Sequence, residues 1–236
     1  MAVNALQDLG PVRAAALVGV VLAGGEGRRM GPGAPKPLRR LAGKPMLAHV
    51  VERLAPQVMD LVVVANDPAP ELRTLNVSVI PDPPEVRRLA RQEGRPLGPL
   101  AGILAGMEWS REHHPHVGWI LSAPADVPLL PLDLTVRLCG HMHVPEPEVL
   151  MVRHGRRREH ALGVWSVTLV ADLRRAVLKE GIRRAEDFAR RHDFAELAWP
   201  DDDRSFLNVN TPEDLRLAER QVALDRQRRA RSRSRR

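Results

Sequence analysis

Residues Val20 to Pro45 read VVLAGGEGRRMGPGAPKPLRRLAGKP. The apolar run that leads into this segment, Ala14 to Ala23, has the composition of a strand buried on both faces of a parallel sheet. It ends in Gly24, Gly25 and Gly27, followed by Arg28, Arg29 and, further on, Lys36. Glycines at a strand end let main-chain N–H groups approach a phosphate closely, because no Cβ intervenes. Arginines and a lysine beyond them can neutralise a polyphosphate. The chain has three lysines, Lys36, Lys44 and Lys179, so a lysine at 36 runs against a strong local use of arginine. That choice suits a site that needs a compact point charge. The plain alternative is a Gly-rich turn with solvated charges.

Working outward, strand-like and helix-like segments alternate. Asp60 to Asn66, Asn76 to Ile80 and Val117 to Ser122 read as short buried strands, with later ones at Glu148 to Val152, His160 to Ser166 and 194–198. Helical stripes lie at Pro45 to Leu54, Leu100 to Trp109, Leu132 to Cys139, 168–178 and 184–191. A last helix starts at Pro212, with Thr211 as its cap and Glu213 and Asp214 near the positive end of its dipole. Such alternation predicts an α/β domain whose mostly parallel sheet is covered on both faces, with ligands beyond the carboxyl ends of the strands.

The chemistry-bearing residues fall at those ends. Asn66 closes one strand and Asp82 follows another. In LGPLAGILAGM, Leu97 to Met107, small residues including Gly98 open a helix whose N–H groups and dipole favour an anion. In WILSAPADVPLLP, Trp119 to Pro131, Asp126 is fixed between Pro124 and Pro128 just past an apolar strand, a good place for a Mg²⁺ ligand. In FLNVNTPEDL, Phe206 to Leu215, Asn208 and Asn210 share a side if the segment is extended. An ordinary turn aspartate, and turn or cap asparagines, are the alternatives for these last two.

The opening motif, L-A-G-G-x-G-x-R-M followed by a lysine, resembles that of nucleotidyltransferases. Together with LGPLAGILAGM, PADVPLLP and FLNVNTPEDL it resembles the molybdenum cofactor guanylyltransferases, from about Val20 to Leu215. The resemblance implies a three-layer Rossmann-like nucleotidyltransferase fold with a mostly parallel mixed sheet. It implies transfer of GMP from GTP to the terminal phosphate of molybdopterin, with Mg²⁺ as cofactor. Leu22, Ala23, Gly24, Gly25, Asn66, Asp82 and Gly98 would bind the nucleotide. Lys36, Arg29 and Asp126 would be catalytic, Asp126 and Asn210 would hold the metal, and Asn208 and Asn210 would meet the acceptor. Transient contact with other proteins of molybdenum cofactor assembly is also implied. The chain departs from the family pattern in the PGAP spacer before Lys36 and in the arginine-rich segment between Asp82 and Gly98. It also has Ala125 where the family has a cysteine beside the metal aspartate. Two other functions stay open at this level: the same chemistry with CTP or another phosphorylated metabolite, and a non-catalytic nucleotide-binding or nucleic-acid-associated protein.

Bulk properties bound the rest. At 236 residues the chain supports one sizeable core. No apolar stretch is long enough to span a bilayer, no signal peptide is evident, and a single cysteine, Cys139, cannot form an internal disulfide, so the cytoplasm is expected. The net charge of +7 resides at the end of the chain: Arg216 to Arg236 contains nine arginines and two acids, leaving a neutral body. The expected division is an extension at 1–13, a nucleotidyltransferase domain at 14–222 and a disordered arginine-rich tail at 223–236, passive except for nonspecific contact with polyanions. His113, His114 and His116, and His141 and His143, are expected on surface loops rather than around a metal. The Arg156, Arg157 and Arg158 stretch is either an anion contact for the second substrate or a solvated hairpin.

Overall fold

The computed structural model describes residues 16–24, 34–67, 69–142, 146–155, 157–200 and 204–233. The readings placed on residues 1–13, Gly25, Arg29, His143 and Arg156 lie outside them. The elements run β1 (Leu17–Leu22), β2 (Arg40–Leu41), β3 (Lys44–Pro45), α1 (Met46–Leu54), β4 (Asp60–Val64), β5 (Ser78–Ile80), α2 (Pro84–Glu93), α3 (Pro99–His113) and β6 (Trp119–Pro124). They continue with α4 (Leu134–His141), β7 (Val149–His154), β8 (Arg157–Ser166), α5 (Val170–Leu178), α6 (Ala185–Ala189), β9 (Phe194–Trp199) and α7 (Pro212–Arg233).

Seven strands form one sheet in the order β5-β4-β1-β6-β8-β7-β9, and β2 and β3 make a separate small hairpin. All ladders among β5, β4, β1 and β6 are parallel, as is β7 with β9; β8 alone runs against its neighbours. The result is the mostly parallel mixed sheet that the alternation predicts. Strand residues alternate between two cores, because successive side chains point to opposite faces. Val18, Val20, Val62 and Val64 pack with α3 and α5, whereas Leu17, Val21, Leu61 and Val63 pack with α1 and α4. A third, smaller cluster joins Leu41 and Met46 to Leu129, Val209, Ala218 and Val222. It clamps the β2–β3 hairpin, the loop after β6 and the start of α7 together.

Helix α3 lies unusually close to β1. A Cβ at Gly106 would stand 2.5 Å from both methyls of Val20, and one at Gly102 would stand 2.7 Å from Leu22 Cδ2. Val20 is buried and branched at Cβ, so it has nowhere to move. Gly106→Ala is therefore expected to destabilise the fold by about 1–2 kcal/mol, overpacking outweighing the gain in helix propensity. Combined with Val20→Ala, which removes the clashing methyls, it should cost less than the two single changes added together in thermal melts.

The segment between Asp82 and Gly98 contains a regular helix, α2, entered through Pro83 and Pro84 and closed by Gly94 in the left-handed region at φ 64°. One reading needs correction: at the other end of the chain, the helix from Pro212 runs to Arg233, where a disordered tail was expected from 223. No glycine or proline interrupts residues 213–233, and arginine, alanine, leucine and glutamine all favour helix. Tertiary contacts reach past 222 as well, since Asp225 accepts from Arg53 Nη2 at 2.8 Å. Deleting Arg226 to Arg236 spares these contacts. It removes seven arginines and brings the charge near zero. Retention on a polyanion matrix should fall sharply while the melting temperature holds within a degree or two.

Candidate active site

From the adjacent carboxyl ends of β1 and β6 the chain leaves in opposite directions along the sheet, β1 through α1 to β4 and β6 through α4 to β7. Such a switch point opens a crevice at the carboxyl ends of the strands. Main-chain bonds extend the sheet one rung into that region: the Ala23 amide donates to Val64 O, Ala65 to Ile80 O and Ala125 to Leu22 O. The Leu22 carbonyl and the Ala23 amide are thus engaged in holding neighbouring strand ends in register. Beyond them, a Cβ at Gly24 would meet no atom of the described residues within 4 Å.

Lys36 begins a short 3-10 turn, Lys36–Leu38. Its Nζ makes an ion pair with Asp126 Oδ2 and donates to Asn210 Oδ1 at 2.8 Å. Asn210 Nδ2 in turn donates to Asn208 Oδ1 at 2.7 Å, so the two asparagines do share a side. Three segments far apart in sequence thereby converge. The Val209 amide donates to Asp126 O at 2.9 Å, and Val209 itself is wholly buried in the third cluster. Asp214 fixes Asn210 from behind, accepting from the Asn210 and Thr211 amides at 2.9 and 2.8 Å, while the Asp214 amide donates to Thr211 Oγ1. This reciprocal cap of α7 turns the expected dipole partner Asp214 into the residue that aims Asn210.

The charged pair is largely enclosed, with side-chain exposures of 11% for Lys36 and 22% for Asp126. Asp126 Oδ1 is buried and has no hydrogen-bond partner among the described residues. A buried carboxylate oxygen left without a donor needs an explanation. A hard cation supplies one: Mg²⁺ is typically held by one or two carboxylates together with substrate phosphates and water rather than by a full protein cage. No cluster of three or more His, Cys, Asp or Glu suited to a metal occurs among the described residues. Asn210 Oδ1 already takes the Lys36 ammonium, which leaves its second lone pair.

Asn66 and Asp82 meet two strands away. Asn66 Nδ2 donates to Asp82 Oδ2 at 2.7 Å and the Asp82 amide donates to Asn66 Oδ1 at 3.0 Å. Burial raises the Asp82 carboxyl above the ordinary range, and the Asn66 bond and nearby Arg87 only partly oppose it. Gly98 precedes α3 with φ 81°, and a Cβ there would lie 2.7 Å from Arg183 O, so only glycine fits. Of the histidines expected at the surface, His113 and His114 are engaged away from this site. His114 bonds to Asp60 at 2.8 Å, at the opposite end of β4, and His113 bonds to Trp109 O at 3.0 Å. Cys139 is buried in α4, its thiol pushed up to about 11 by burial, and is chemically quiet. Asp214 is the residue whose part in aiming Asn210 sequence reasoning missed, since it was visible only as a cap.

The model of the MobA-like NTP transferase domain matches residues 19–195. The chain belongs to the MobA-like NTP transferase family. A molybdenum cofactor guanylyltransferase of Bradyrhizobium sp. (strain ORS 278) is 40% identical over 89% of this chain and 95% of its own length. One from Rhodopseudomonas palustris (strain BisB5) is 42% identical over 85% of this chain and 91% of its own. Among solved structures, molybdopterin-guanine dinucleotide biosynthesis protein A of Archaeoglobus fulgidus matches with a TM-score of 0.61 and 25% identity, over 88% of this chain and 99% of that one. MobA-like membership makes the chain a nucleotidyltransferase, and the matched span contains Lys36, Asp126 and the Asn66–Asp82 pair, while Asn208 and Asn210 lie just beyond it. No helix among the described residues is long and apolar enough to cross a membrane.

Proposed function

We propose that the protein transfers GMP from GTP to the terminal phosphate of molybdopterin and releases pyrophosphate. The observation that carries this reading is the meeting of Lys36, Asp126 and Asn210 at the switch point, with one buried Asp126 oxygen unpartnered. A phosphate monoester is already nucleophilic at neutral pH, so the reaction needs no general base. The demand is to gather several negative charges and hold them in line. An ammonium has three donors, and Lys36 commits two of them to Asp126 and Asn210, which leaves the third for a phosphate oxygen. Arg29 in the glycine loop would add a second positive charge. Asp126, with Asn210 beside it, would hold a divalent ion, Mg²⁺ in this reading, which when bound neutralises charge shared between phosphate oxygens. Asn208 and Asn210 present amide groups on the side where an acceptor phosphate would approach. Asn66 and Asp82 lie on the other side of β1, toward the nucleoside. Relatives named molybdenum cofactor guanylyltransferase at about 40% identity support guanine as the base and the molybdenum cofactor as the acceptor.

The test is to measure pyrophosphate released from each of the four nucleoside triphosphates, with Mg²⁺, in the presence and absence of molybdopterin. Release with GTP that depends on molybdopterin is the expected result. Release that depends on molybdopterin but prefers CTP would replace the base, and none with molybdopterin would replace the acceptor.

A further inference from the structure

Helix α3 runs antiparallel to β1: Gly106 faces Val20, and Gly102, four residues earlier, faces Leu22. Four helical residues and two strand residues each advance the chain by about 6 Å. The next four residues back along α3 therefore bring the Gly98 turn level with Gly24, at the mouth of the crevice. Its exact position bears on anything bound beside the glycine loop.

What holds this turn is a ring of contacts. Arg183 O would stand 2.7 Å from a Cβ at Gly98, so the main chain of residues 181–184 seats directly on it. Those residues form no helix or strand. The Ile182 amide donates to Ala176 O at 3.0 Å, at the end of α5. The Arg183 guanidinium donates through Nη1 to Val177 O at 2.8 Å and Ile182 O at 3.1 Å, and through Nη2 to Glu93 Oε1. Glu93 is the last residue of α2, and residues 94–97 lead from it to Gly98. The Glu93–Arg183 bond thus closes the ring. Its side chains are mostly enclosed, with exposures of 25% and 18%, where a charge-assisted bond is stronger than at an open surface. Helix α2 is itself a firm anchor, since Val86 is buried and Leu89 and Ala90 pack on the core. Both arms of the ring begin at a glycine with positive φ, Gly94 at 64° and Gly181 at 71°. Glycine has the most conformational freedom to lose, so without the closing bond the turn would be fixed far less sharply.

We propose that Glu93 is a positioning residue for nucleotide binding, acting through Arg183 on the Gly98 turn. This rests on the nucleotidyl-transfer reading above, with the triphosphate seated between the glycine loop and the start of α3. Glu93 touches no substrate in this arrangement. It stands in the segment between Asp82 and Gly98, so that segment serves as a brace for one wall of the crevice. Pre-set geometry lowers the ordering cost of binding, and its loss appears in affinity before it appears in stability.

Calorimetric titration of the whole protein with each nucleoside triphosphate and Mg²⁺, together with KM and kcat from pyrophosphate release, tests the assignment. Glu93→Ala should weaken binding of the preferred triphosphate and raise its KM about tenfold, the scale of one hydrogen bond to a charged group. Its kcat should stay within about twofold and its melting temperature within a degree or two. Glu93→Gln, which retains an acceptor for Arg183 Nη2 at the same reach, should recover most of the affinity. Glu85→Ala is the control: Glu85 pairs with Arg174 from the same helix, outside the ring, and its loss should leave affinity unchanged. Parent-like affinity in Glu93→Ala, or an equal loss in Glu85→Ala, would overturn the positioning role and leave nucleotidyl transfer standing. A parent that prefers CTP would overturn guanylyl transfer alone, because the Glu93 comparison is then read on CTP. A parent that binds no triphosphate would overturn both.

Discussion

Asp126→Asn should suppress pyrophosphate release by at least about a thousandfold while barely changing the melting temperature. Asparagine has the same shape and still accepts from Lys36, whose ammonium also keeps Asn210 Oδ1 at 2.8 Å. What disappears is the negative charge on the carboxylate whose second oxygen is buried and unpartnered. The pair is largely enclosed, yet asparagine keeps an oxygen acceptor on the Lys36 ammonium, so no buried charge is left without a hydrogen-bond partner. Full turnover in this variant would move the metal site elsewhere, and a collapse of the melting temperature would show Asp126 to be a structural turn residue.

Lys36→Ala is the second large effect, with turnover falling by roughly 10²–10³, the usual scale for one charge stabiliser at a phosphoryl-transfer site. Because Lys36 is the donor shared by Asp126 and Asn210, its loss also leaves both acceptors unmet. Lys36→Met, which retains the stem, should show the same loss with a smaller shift in stability. Turnover like that of the parent in both variants would remove Lys36 from the phosphates. Lys44, exposed and paired with Glu52, is the control lysine whose replacement should leave turnover unchanged.

The parts of this site that could be read from sequence are those whose geometry is local. An unbroken apolar run predicts β1, two prolines mark Asp126 as fixed at a strand end, and spacing of two places Asn208 and Asn210 on one side. What the chain could not disclose is which distant groups meet. That Lys36 joins Asp126 and Asn210 depends on the third core cluster, whose members come from β2, α1, the loop after β6 and α7. The β2–β3 hairpin that contributes Leu41 escaped notice because its turn places Ala42 at φ 48°, a conformation alanine seldom adopts. Reversal of β8 was likewise invisible, since a strand buried in a mixed sheet has the same composition in either direction. Charge misled at the end of the chain: the arginine run beyond 223 suggests solvated, irregular chain, yet it is helical as far as Arg233 because arginine is a good helix former.

The separation of the partners in sequence also bears on how the protein is made. Lys36 leaves the ribosome early, but Asp126 follows 90 residues later and Asn210 follows 174 residues later. The sheet is in the same position, since β1 waits between β4 and an empty edge until β6 has been synthesised. Synthesis proceeds at about 5–20 residues per second and early segments fold first. Nascent chains, and products of premature termination that stop short of the cap at Thr211, therefore contain the glycine loop without its completed counterpart. Fragments that stop before Asn208 lack the asparagine pair that closes the site, so catalytic competence certifies that translation has passed Asn210.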